Sequence, residues 1–184
     1  MLRANSVRAR SKTREVYADR KRLGRDSFTE RTPWDPSSIQ FAAFLFLASF
    51  NAGSMTTLQI QHYALYPQVG RKAFAAYVRA NNKAALVPAI LPALLLLVTS
   101  MTLLVERPRF MSGAEAFAVF VLNLIALASS FLWQRRLQSE MAETGYDEQK
   151  VRRLISTNWI RTGAFLIQGL LASAVTLRAI QMIR

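Results

Sequence analysis

Cysteine is absent from the 184 residues, and histidine occurs once. Without Cys there is no disulfide framework, thiolate metal site or Cys nucleophile. One imidazole all but excludes a zinc or copper site built from protein ligands alone. Acids are also scarce, 11 Asp+Glu against 24 Lys+Arg, for a net charge of +13. No stretch reads as a phosphate-binding loop, a paired-carboxylate site or a serine triad, so hydrolysis and phosphoryl transfer are not expected. The basic residues are not interleaved with aromatics as in a nucleic-acid module, and no nucleic-acid partner is expected. These shortages leave little for soluble catalysis.

What the chain has is apolar residues, 52% of the total beside 19% charged. The two classes are segregated, because most basic residues flank apolar runs of about 20 residues or more. Such runs are long enough for a hydrocarbon core of roughly 30 Å at about 1.5 Å per residue. Four of them, about residues 38–61, 84–105, 113–133 and 155–180, predict membrane spans. Single barrel strands need only about 10 residues and alternate in polarity, so the spans are read as helices. The expected fold is all-α, an integral-membrane antiparallel four-helix bundle over residues 38–184 with a basic extension over residues 1–37.

That extension carries ten basic residues and five acids. It has no apolar run near Met1 and so is not read as a secretory signal peptide. Its first residues, rich in Arg and Ser and free of acids, also have the composition of a mitochondrial presequence. The reading adopted is a tail whose Arg8, Arg10, Lys12, Arg14, Arg20, Lys21, Arg22 and Arg25 contact the membrane surface or a partner. Trp34, in Thr32-Pro33-Trp34-Asp35-Pro36, suits a headgroup-level anchor. Four spans put both ends on one side, which then holds 14 Lys+Arg against 9 opposite. Carrying the basic tail across without a signal is unfavourable, so the ends are expected on the cytoplasmic or matrix side of an inner membrane.

Polar residues at membrane depth mark where any site would lie. At 100° per residue, Asn51, Ser54, Met55, Leu58, Gln59 and His62 share a stripe of the first span. Asn123, Ser130 and Gln134 share a face of the third span. In the fourth, Asn158, Thr162, Gly169 and Thr176 share a face, with Arg161 at its margin. In the second, Pro88 and Pro92 should kink the helix. Connectivity predicts one polar layer, opposite the termini, of His62, Tyr63, Gln134, Asn158, Trp159 and Arg161. Such a layer is either a pocket, with His62 as its titrating group, or a set of bonds holding helices together. Asn51-Ala52-Gly53-Ser54 predicts close helix packing, and Asp147 a helix cap after a turn at Thr144-Gly145.

Phe50-Asn51-Ala52-Gly53-Ser54, His62-Tyr63-Ala64-Leu65-Tyr66-Pro67 and Thr157-Asn158-Trp159-Ile160-Arg161-Thr162 carry a resemblance. They resemble a group of small four-span bacterial membrane proteins of unknown function, itself similar to anthrone-oxygenase-like membrane proteins. The resemblance covers about residues 41–177. It implies a pocket for an apolar aromatic or quinone-like substrate, with His62 as base or axial ligand. The family pattern has further histidines near Tyr77 and after the third span, where this chain has none. The expectation is therefore a non-catalytic accessory or structural subunit of a larger membrane complex, such as an energy-transducing one. Its partners would be lipids and other membrane subunits. No cofactor is expected, although a lipid, quinone or pigment can bind a bundle without a recognisable motif. The alternatives are the small oxygenase-like enzyme and a small transporter.

Overall fold

A computed structural model describes residues 35–183, except the side chain of Ile183. The basic residues of the tail and Trp34 lie outside the described residues. The described chain is helical throughout, with no strand. Its α-helices are α1 (Pro36–Thr57), α2 (Phe74–Ala84), α3 (Leu91–Val105), α4 (Gly113–Ser129), α5 (Arg135–Thr144) and α6 (Glu148–Ile183). Widened π turns extend α1 over Leu58–His62, lead into α3 over Leu86–Ile90 and join α4 to α5 over Ser130–Gln134. A 3-10 segment, Tyr63–Gln68, completes the first helical stretch.

Four continuous helical stretches are long and apolar enough to cross a membrane: Pro36–Gln68, Leu86–Val105, Gly113–Thr144 and Glu148–Met182. They fall on the four expected spans. Three are 32 to 35 residues long, well beyond the roughly 20 that one crossing needs. The surplus arises because polar stretches beyond the expected span ends continue the helices. Residues 134–144 carry α4 onward through a π turn into α5. Gly145, at φ 87° and ψ −156°, then reverses the chain in a conformation open in practice to glycine alone. Asp147 caps α6 as expected, its Oδ1 accepting the Lys150 N–H at 3.1 Å.

Two cores result. The first is the bundle, where Phe41, Phe44, Ala48 and Met55 of α1 are buried at helical spacing with Leu96, Leu103, Ala116, Val119, Phe165 and Val175. Hydrogen bonds tie its helices. Gln40 Nε2 donates to Thr102 Oγ1 at 2.6 Å, Asn123 Nδ2 to Ser100 Oγ at 2.8 Å, and Gln168 Nε2 to the Val119 carbonyl at 3.0 Å. Ser112 and Glu115 form a capping box at the start of α4, and the same carboxylate takes Arg178 of α6 at 2.8 Å. The second core was not foreseen. Tyr63, Tyr66, Phe74 and Val78 pack with Leu137, Met141, Val151 and Leu154 in a cap built from the surplus turns and α2. Arg79 of α2 fastens it by donating to the Ala142 carbonyl.

Outside the cores the helices turn large apolar side chains outward. Phe46, Val98, Met101, Phe117 and Leu170 are all more than half exposed. Scattered exposed leucines are ordinary, but apolar faces running the length of four helices mark contact with lipid or protein.

Candidate functional site

The π turns define the level of the site. In each, an N–H reaches back five residues: Tyr63 to Leu58, Leu91 to Leu86 and Arg135 to Ser130. Before α3 the cause is plain, since Pro92 has no N–H to offer the Pro88 carbonyl. In the other two turns a glutamine is buried and directed at α6. Gln59 Nε2 donates to the Ile155 carbonyl at 3.1 Å, and Gln134 Nε2 reaches the adjacent Leu154 carbonyl at 3.4 Å. Gln134 also donates to Thr157 Oγ1 at 3.0 Å. Amides from α1 and α4 thus grip consecutive carbonyls of one helix.

Asn158, fully buried on α6, is the hub. Its Nδ2 donates to Gln59 Oε1 at 2.6 Å and to Thr162 Oγ1 at 3.2 Å. Its Oδ1 accepts from the Arg161 guanidinium at 2.6 Å. Arg161 also reaches Ser130 Oγ and the Tyr63 hydroxyl, both at 3.5 Å, and Gln138 of α5 donates to the same hydroxyl at 3.0 Å. Every acceptor around this guanidinium is neutral; among the described residues Arg161 has no carboxylate partner, and its Nε is buried and unbonded.

Of the expected layer, Tyr63, Gln134, Asn158 and Arg161 come together, and Gln59, expected only on the stripe of the first span, joins them. Three other candidates do not join this network. Trp159 is 51% exposed on the outer face of α6, one helical step from the inward-facing Asn158. Asn51 is buried, but its Nδ2 turns back on the Leu47 carbonyl of its own helix at 2.8 Å. His62 stands to one side, because the π turn shifts the stripe that a uniform 100° step carries onto it. Its ring lies between tyrosines of the cap, 5.6 Å from Tyr63, 5.3 Å from Tyr66 and 6.2 Å from Tyr77. His62 Nε2 is buried with no hydrogen-bond partner.

Sequence reasoning missed Gln138, which lies beyond the expected end of the third span, and Asn81, which donates to the Tyr66 hydroxyl at 3.2 Å. Gln138 follows Gln134 by four residues, a signal that needed only a longer helix to be read. Ser130 and Thr162 were placed on the right faces but not in the layer. No group of three His, Cys, Asp or Glu side chains able to hold a metal occurs among the described residues. Comparison with protein-family models, with characterised proteins and with solved structures finds no match. The site is therefore read from its own geometry.

Proposed function

We propose that this chain is a non-catalytic subunit of a larger membrane complex, crossing an inner membrane as an antiparallel four-helix bundle. One observation carries the reading. Gln59, Tyr63, Ser130, Gln138, Asn158 and Arg161 hydrogen-bond to one another across three of the four long helical stretches, which is how membrane helices are fixed together. The outward apolar faces, least interrupted on α3, supply surface for lipid and neighbouring subunits.

Depth markers support the crossing. The Glu115–Arg178 pair and the tryptophans Trp133 and Trp159 are separated by 18 residues on one helix and 19 on the other. At the helical rise that is about 27 to 29 Å, a hydrocarbon thickness with an aromatic belt at one boundary. The cap then stands in water beyond the belt. The two ends of the chain lie on the opposite side, which the count of basic residues favours as cytoplasmic or matrix. An energy-transducing complex fits a subunit of this kind.

The buried, unbonded Nε2 of His62 among three tyrosine rings supports a second reading, a small oxygenase-like enzyme acting on an apolar aromatic or quinone-like substrate. Native mass after extraction in mild detergent separates the two. Migration at several hundred kilodaltons with a fixed set of partners supports the subunit. Migration as a monomer or small homo-oligomer retaining an aromatic ligand refutes it in favour of the enzyme.

A further inference from the structure

The face of the cap where α5 passes the start of α6 carries a groove of about 390 Å³. Leu132 and Trp133, about one turn nearer the proposed membrane than Arg136, give it an apolar lower wall, and Arg136, Glu140, Lys150 and Arg153 are among the rest of its lining. The charges are unequally committed. Glu140 is bound by Arg136 at 3.0 Å and by Lys150 at 3.2 Å, so one carboxylate serves two cations. Asp147, also on the wall, faces the backbone as the cap of α6. Arg153 has no ion pair among the described residues, and the groove is left one positive charge in excess. Its position matters as much as its charge. Leu132 is 61% exposed on the outer face of the bundle, and Trp133 belongs to the aromatic belt of the crossing proposed above. A cationic recess directly above a belt tryptophan and an outward leucine is at the height of phospholipid phosphates.

We propose that this groove binds the headgroup of an anionic phospholipid, with the phosphodiester on Arg153 and Lys150 and an acyl chain descending past Leu132. The inference rests on the membrane crossing but not on the subunit role. A guanidinium and an ammonium suit a phosphodiester, and the excess charge selects an anionic lipid over a zwitterionic one. The phosphate chemistry alone would also admit free phosphate; the apolar lower wall favours the lipid.

The test is native mass spectrometry of the delipidated full-length protein, titrated with dioleoyl phosphatidylglycerol, dioleoyl phosphatidylcholine or inorganic phosphate. One phosphatidylglycerol per chain is expected to bind in preference to phosphatidylcholine, and inorganic phosphate is expected not to displace it. Arg153→Gln is expected to weaken retention about fivefold or more, and Arg136→Gln to weaken it in the same direction. Arg152→Gln removes the same charge from the neighbouring residue, which pairs with Glu148 outside the groove, and is expected to leave retention unchanged. Equal retention of the two lipids overturns the proposal, as does equal loss in Arg152→Gln and Arg153→Gln. Displacement by inorganic phosphate makes the groove a soluble-anion site and overturns the lipid. A failed crossing is seen separately, by the labelling experiment of the Discussion.

Discussion

At the scale of single residues, Asn158 and His62 exchange the importance that the sequence suggests for them. His62 is the only imidazole and invites a catalytic role, yet its ring touches tyrosines and its Nε2 bonds to nothing. Asn158 is an ordinary amide, but it joins Gln59, Thr162 and Arg161 at one buried point. Removing it leaves a buried Gln59 oxygen unpaired and takes from Arg161 its shortest bond. Buried groups left unsatisfied cost about 1–3 kcal/mol, whereas interhelical bonds in membranes average about 0.6 kcal/mol because the separated helices find other partners. Asn158→Ala is thus expected to destabilise the protein by about 1–2 kcal/mol. His62→Ala should cost less than Asn158→Ala and leave the native complex intact. Denaturant titration in detergent measures the first, and native electrophoresis the second. If His62→Ala left stability untouched but abolished turnover of an aromatic substrate, the enzyme reading would replace the subunit.

Elements are fixed by close approaches that the sequence marks only loosely. The small-residue string in α1 predicts close packing, and it occurs, but not at the glycine. Gly53 meets nothing within 4 Å. The contact belongs to Ala52 and Ala48, whose Cβ and carbonyl lie 3.4 and 3.8 Å from where a side chain at Gly169 of α6 would begin. Gly169→Ala meets only an ordinary contact inside a helix and is therefore expected to stabilise the protein slightly, by about 0.4–1 kcal/mol. Gly169→Leu must push α1 and α6 apart at the centre of the bundle and should cost about 1–3 kcal/mol, read as a fall in thermal midpoint. Equal effects of the two substitutions would mean that the helices are not held at this distance. The same contrast shows what the sequence makes legible. Runs of about 20 apolar residues announced the four helices long and apolar enough to cross a membrane, because hydrocarbon thickness imposes a length that composition reveals. The π turns were not legible, since nothing local in Leu58–His62 announces a bond reaching back five residues. That one shift moved His62 off the layer and left Tyr63 on it. The cap was hidden for a related reason: its apolar residues, such as Tyr66, Phe74, Met141 and Leu154, are too sparse to register as a span and find one another only across sequence.

The whole molecule poses one question that these contacts leave to experiment, namely which side of a membrane the cap occupies. The chain is unusually well suited to answer it, because with no cysteine of its own any introduced thiol is unique. Lys72 before α2, Arg109 in the connection from α3 to α4 and Glu143 at the end of α5 are all exposed, so substitution there disturbs no core. If Leu86–Val105 and Gly113–Thr144 both cross, positions 72 and 143 share one side and position 109 lies on the other. With the chain ends cytoplasmic, an impermeant maleimide added to intact cells should label Lys72→Cys and Glu143→Cys, and label Arg109→Cys only after lysis. The reverse pattern would keep the four crossings and place the cap inside, where its own arginines would be favourable. Labelling of all three from outside would remove the crossings themselves. The lipid groove would fall with them, because its height above the belt exists only if Gly113–Thr144 passes through the bilayer. The two proposals are therefore ordered: the labelling pattern decides whether there is a headgroup plane at Trp133, and only then does Arg153 have a phosphate to meet.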